Sequence, residues 1–155
     1  MTVVHSHRRS KALTRKPHSA SITDTIARQV CSPAVAQKLS ALGVPQESLW
    51  YWVASRRKKY PLLMTVEELS EAPLFQTVAV SAFTVGELGV LLPSTIEQEG
   101  EFLGFLCSKS FRGFSVAYAL APTEKPNRVE IKAVSEADAR AQMLIYLIEN
   151  NLYIP

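Results

Sequence analysis

Residues 102–150, FLGFLCSKSFRGFSVAYALAPTEKPNRVEIKAVSEADARAQMLIYLIEN, carry the pattern that decides the fold. Two runs rich in β-branched and aromatic residues, 102–108 and 114–121, flank Lys-Ser-Phe-Arg-Gly, which reads as a hairpin loop with Gly113 supplying a positive φ. After a polar loop over 122–127, residues 128–134 alternate Val129, Ile131 and Ala133 against Arg128, Glu130 and Lys132. That is an antiparallel strand with one wet face. Ser135 and Asp138 then cap a helix over about 136–150, whose first turn is acidic and whose buried stripe is Ala137, Ala141, Leu144, Ile145 and Ile148. Asn150 and Asn151 terminate it.

Upstream, Thr84 and Glu87 have the Thr-x-x-Glu spacing of a capping box, heading a short helix that stops at Pro93. A strand precedes it over 76–82. Residues 66–73 are acidic and end in proline, so a loop or one helical turn is expected there. Residues 48–55 read Ser-Leu-Trp-Tyr-Trp-Val-Ala-Ser, a strand with Trp50 and Trp52 on one face and Leu49, Tyr51 and Val53 on the other. Residues 60–65 return as a second strand, which Pro61 directs to a sheet edge. Farther upstream, Ser32 followed by Pro33 starts a helix that ends at Leu42, with Gly43 as its left-handed cap. Ser21 and Asp24 head a weaker helical stretch up to Val30.

Together these readings give an α+β class: an antiparallel sheet of 4–6 strands with two or three helices packed on it. Residues 31–155 make one α+β domain, and residues 1–30 are a basic, largely disordered arm. The charge supports that division. The arm holds Arg8, Arg9, Lys11, Arg15, Lys16 and Arg28 against Asp24, whereas the other 125 residues hold 11 cations and 13 anions. The net charge of +3 therefore belongs to the arm, and the domain is mildly acidic. No apolar run approaches the roughly 18 residues that cross a bilayer, and the N-terminus lacks the apolar core of a secretory signal. The expectation is a cytoplasmic chain with no membrane partner. Cys31 and Cys107 have neither disulfide-framework nor metal-site flanks, so both read as free thiols.

His5, His7 and His18 all lie in the arm, which leaves the domain without a histidine for a triad or for general acid–base work. Without supporting Cys or carboxylates, His5 and His7 read as solvated. Lys109 and Arg112 can lower the pKa of Cys107, but the plainer reading is a small core or rim residue. Glu67, Glu68 and Glu71, and again Glu97, Glu99 and Glu101, read as solvated acids in loops. No phosphate-binding glycine motif occurs. No cofactor and no catalytic residue are expected.

The conspicuous surface candidate is Trp50, Tyr51 and Trp52 followed by Arg56, Arg57, Lys58, Lys59 and Tyr60. Aromatic faces stack on bases and adjacent cations follow phosphate, so the stretch can hold single-stranded nucleic acid. The plainer reading is core and rim aromatics with gatekeeper cations at an exposed strand end. They also fit docking to a protein partner or, at an edge, pairing into a homodimer.

The segments at 31–39 (Cys-Ser-Pro-Ala-Val-Ala-Gln-Lys-Leu), 44–52, 81–89 and 135–150 resemble those of small uncharacterised bacterial proteins encoded on prophages and other mobile elements. The resemblance covers residues 31–152, and such proteins begin near the position of Cys31. It implies a genomic neighbourhood and no mechanism. From the residues, the leading expectation is a non-enzymatic accessory protein of a mobile element that binds a protein partner or itself. The element order from Thr84 to Asn150 also matches the double-stranded-RNA-binding fold, but the Ser-Glu-Ala-Asp start of the last helix repels the phosphate that this fold grips.

Overall fold

The computed structural model describes residues 25–54, 59–71, 79–120 and 129–153. In chain order the elements are α1 (Pro33–Ala41), β1 (Trp50–Val53), β2 (Leu62–Thr65), α2 (Val66–Glu71), β3 (Ala79–Ser81), α3 (Val85–Leu91), β4 (Thr95–Gln98), β5 (Glu101–Ser110), β6 (Gly113–Ala119), β7 (Val129–Ala133) and α4 (Glu136–Glu149). The class is α+β, as the sequence implies. The strands divide into two antiparallel sheets, one ordered β2-β1-β3 and one ordered β4-β5-β6-β7. As Pro61 suggests, β2 is an edge.

The register of the larger sheet fixes its two faces. Phe105 pairs with Tyr118 and Tyr118 with Val129; Cys107 pairs with Val116 and Val116 with Ile131. These residues share the inner face, on which α4 packs across β6 and β7. Leu106, Ala117 and Glu130, and beside them Ser108, Ser115 and Lys132, occupy the outer face. Beneath α4 the core is close to solid, with Leu103, Val116, Tyr118, Met143, Leu144 and Leu147 fully buried. The Tyr118 hydroxyl donates to the Pro93 carbonyl at 2.5 Å, so the loop after α3 is tied to the floor of the sheet. A buried hydroxyl needs such a partner.

The helices join the sheets. α1 touches both α4 and β3, while α3 lies along α4. Three polar ties cross between them. The Cys31 N–H donates to the Phe83 carbonyl at 2.9 Å, Val30 forms an isolated bridge with Thr84, and the Ser32 N–H donates to Asp138 Oδ1 at 2.7 Å. The last contact changes the expected cap. Ser135 does accept the Asp138 N–H, at 3.1 Å, but the Asp138 carboxylate reaches across to the start of α1. Val30, read as the end of the arm, is 2% exposed and belongs to the core.

Several local expectations need correcting. Glu97, Glu99 and Glu101 are not in one loop: Glu97 lies on β4, Glu101 opens β5, and Glu99 with Gly100 forms the two-residue turn between them. Both turn residues have positive φ, 54° and 78°, the geometry of a tight hairpin. β4 escapes sequence reading because Ile96 is the one apolar side chain in Thr-Ile-Glu-Gln. Glu67, Glu68 and Glu71 lie on α2, where the Thr65 hydroxyl accepts the Glu68 N–H at 3.1 Å and the Glu68 carboxylate accepts the Thr65 N–H at 2.8 Å. That is a second capping box, Thr-x-x-Glu, hidden by the surrounding acids. At the end of α4 only Asn151 is left-handed, with φ 56°, and Ile148 is half-buried while Met143 and Leu147 are buried. Ser21 and Asp24 lie outside the described residues.

Candidate functional site

β1 alternates as expected, and its aromatics are largely committed to the fold. Trp52 is half-buried against the core, and its indole N–H donates to the Cys31 carbonyl at 2.7 Å. The Tyr51 hydroxyl donates to the Gln46 carbonyl at 3.1 Å, while Gln46 Oε1 accepts the Ser81 N–H at 2.8 Å. Trp50 is half-buried and its carbonyl accepts the Ala82 N–H. Lys59 and Tyr60 are exposed, with Lys59 Nζ 5.9 Å from the centre of the Tyr60 ring. Arg56, Arg57 and Lys58 lie outside the described residues. A platform for bases needs free aromatic faces, and Trp52 is half-buried against the core.

Glu87 is the polar centre of this end of the molecule. The capping box at the head of α3 forms: the Thr84 hydroxyl accepts the Glu87 N–H at 3.2 Å and Glu87 Oε2 accepts the Thr84 N–H at 2.7 Å. The same carboxylate also accepts the Ser48 hydroxyl at 3.2 Å and the Leu49 N–H at 3.0 Å. Burial pushes the Glu87 carboxyl up, but the donors from Thr84, Leu49 and Ser48 together hold it below its ordinary value. A carboxylate that accepts these three donors is a clamp between the entry to β1 and α3.

Neither cysteine is activated. Burial pushes the Cys31 thiol up to about 12. Cys107 is exposed on the inner face of β5, 3.6 Å from Glu136 Oε1. Partial burial raises its pKa, and the Glu136 charge raises it further against the opposing pull of Arg140. Lys109 and Arg112, the cations near it in the sequence, serve elsewhere: Lys109 Nζ lies 5.4 Å from the Phe114 ring centre, and the Arg112 guanidinium 5.1 Å from that of Phe111. Arg140 is held by Glu136 at 2.6 Å and lies 5.3 Å from the Phe105 ring centre. Among the described residues no three His, Cys, Asp or Glu side chains are grouped to hold a metal. Among the same residues no helix is long and apolar enough to cross a membrane.

The β5–β6 hairpin forms as the sequence implies, but its projection past β4 is the exposed feature that sequence reading missed. β4 pairs only with Glu101 to Gly104, so β5 runs on past it to Ser110. Leu106, Cys107, Ser108, Lys109 and Ser110 are all exposed, and on the β4 side of this stretch no strand pairs among the described residues. At the tip Phe111 is 93% exposed, and on the outer face of the same strand Phe102 is 71% exposed. The signal available was a bulky Phe inside a hairpin turn, where small polar residues usually sit.

Compared with protein-family models, with curated proteins and with solved structures, the chain matches none.

Proposed function

We propose that this chain is a non-enzymatic accessory protein of the cytoplasm that works by binding another protein, and that the projecting β5–β6 hairpin is its contact. One observation carries the reading. Five consecutive exposed residues, 106–110, form an open strand edge that ends in the 93% exposed Phe111. Main-chain N–H and C=O groups on such an edge accept an added strand, and an aromatic side chain beside it supplies the anchor. The hydrogen-bonded state of Glu87 and the raised thiol pKa of Cys107 support a binding role over catalysis.

A second reading, binding of nucleic acid, has its own observation: Lys109 and Arg112 flank Phe111 at the same tip. An affinity capture from native host lysate, with and without nuclease, separates the two. A protein partner retained after nuclease, lost when Phe111→Ser and Leu106→Ser are introduced, supports the first. Capture that disappears with nuclease and with the Lys109→Ser and Arg112→Ser pair, and weakens steeply with salt, supports the second. Capture indifferent to all four substitutions removes the hairpin from both.

A further inference from the structure

β7 has a strand on one side only. It pairs with β6 from Phe114↔Ala133 to Tyr118↔Val129, and among the described residues nothing pairs along its other edge. Along β7, Val129, Ile131 and Ala133 face the helices while Glu130 and Lys132 stand on the outer face. This five-residue pattern is its own complement when laid antiparallel on a second copy. With Ile131 at the two-fold axis, Glu130 of each chain falls opposite Lys132 of the other, and Val129 opposite Ala133. A slip of one residue sets a charge opposite an apolar residue, and a slip of two sets Glu130 opposite Glu130 or Lys132 opposite Lys132. One register alone satisfies both faces.

We propose that the chain forms a two-fold symmetric homodimer by antiparallel pairing of β7 with the β7 of a second copy, joining the two four-stranded sheets into one. Within one chain the Lys132 ammonium already lies 2.9 Å from Glu130, which also accepts the Ser115 hydroxyl at 2.5 Å. Pairing turns two such groups into a four-charge cluster with alternating signs. Strand pairing alone covers little surface, and a groove beside this edge adds to it. The groove, about 470 Å³, lies between α1 and α4, lined by Val35, Ile145, Tyr146 and Ile131 of β7 together with Gln142 and the Lys38–Glu149 ion pair. It offers the second copy a seat with both apolar and charged contacts next to the paired strands. This interface uses a different edge from the hairpin, so it goes beyond the partner-binding reading and stands or falls separately.

Sedimentation velocity of the full chain over a range of concentrations tests it, with Glu130→Lys, Lys132→Glu and both together. The wild type is expected to be a dimer. Each single reversal is expected to raise the dimer Kd about tenfold or more, because like charges then face each other twice per interface. The double exchange, which restores opposite charges, returns the wild-type Kd. Phe111→Ser leaves it unchanged. As a second measurement, Ile131→Cys in a Cys107→Ser background is expected to form an interchain disulfide on mild oxidation, since directly opposed residues lie only about 4.5–5.5 Å apart between Cα atoms. A chain that stays monomeric throughout, a dimer whose Kd ignores both single reversals, or the absence of a cross-link in the Ile131→Cys variant overturns the proposal.

Discussion

Glu87 and Leu49 stand 38 positions apart in the sequence, yet a carboxylate oxygen of Glu87 accepts the Leu49 N–H at 3.0 Å. This bond extends an ordinary helix cap into a tie between α3 and the entry to β1. Replacing Glu87 by Gln keeps the shape but turns an acceptor into a partial donor facing two N–H groups and a hydroxyl. The expected loss is about 2 kcal/mol, read by urea denaturation. Thr84→Ala, which removes only the capping half, is expected to cost about 1 kcal/mol.

The same carboxylate predicts an acid limb in the stability profile. Burial opposes its ionisation, but the hydrogen bonds from Thr84, Leu49 and Ser48 outweigh it and depress the folded pKa below the ordinary 4.5. A carboxyl with a depressed folded pKa adds stability above its unfolded pKa and loses it as pH falls through the folded value. Wild type is therefore expected to exceed Glu87→Gln in stability at neutral pH. The two curves should converge below about pH 4.5, and parallel curves down to strong acid would contradict the assignment.

How much of this was legible beforehand depends on range. The Thr84–Glu87 box, the Gly43 and Gly113 left-handed positions and the alternation of β7 are local, set by residues within four places of each other, and all appear in the structure. The Ser32–Asp138 bond spans 106 positions, and no spacing rule reaches it. Trp52 reads as a core or rim aromatic from the sequence, but nothing local announces that Cys31 offers its indole N–H a carbonyl. The hairpin tip, and the β7 edge that no strand pairs among the described residues, are properties of strand order and unequal strand length, which emerge only when the sheet is assembled.

Asp138 divides its work between two helices. Its N–H is capped by the Ser135 hydroxyl at 3.1 Å while its carboxylate holds the Ser32 N–H at 2.7 Å at the head of α1. Ser135→Ala is expected to cost about 1 kcal/mol, the usual loss of a cap. Asp138→Ala removes the link to α1 as well as an acid from the first turn of α4, and is expected to cost about 2 kcal/mol. Because Ser135 caps the backbone N–H of Asp138, which Asp138→Ala keeps, the two side chains make separate bonds and the double variant should lose about the sum of the singles. A loss well below that sum in thermal and urea unfolding would show that they act through one cap.

Thiol chemistry follows from the two environments. Cys31 is fully buried with its pKa pushed up to about 12, so it should label only on unfolding. Cys107 is exposed but its thiolate is disfavoured by partial burial and by the Glu136 charge. Alkylation at neutral pH is expected to modify Cys107 alone, and more slowly than a free peptide cysteine. Glu136→Gln removes the carboxylate charge and should speed that reaction, whereas Arg140→Gln removes the opposing cation and should slow it. Mass-spectrometric rates for the three proteins decide it, and a faster reaction in Arg140→Gln would reverse the assigned signs.

Two glycines with positive φ separate backbone strain from steric collision. Gly43 follows α1 with φ +82°, and a Cβ placed there meets nothing within 4 Å. Gly43→Ala therefore carries only the cost of a left-handed alanine, about 1 kcal/mol. Gly113 opens β6 with φ +124°, and a Cβ placed there would overlap the Ala133 carbonyl of β7. Relief requires β7 to move away from β6 at its end, since that collision is with backbone and no rotamer avoids it. Gly113→Ala is expected to cost about 3 kcal/mol or more. It should also expose the β7 amides to hydrogen exchange, while Gly43→Ala leaves them protected. Equal losses in the two variants would mean that the close approach of Gly113 to Ala133 does not constrain the sheet.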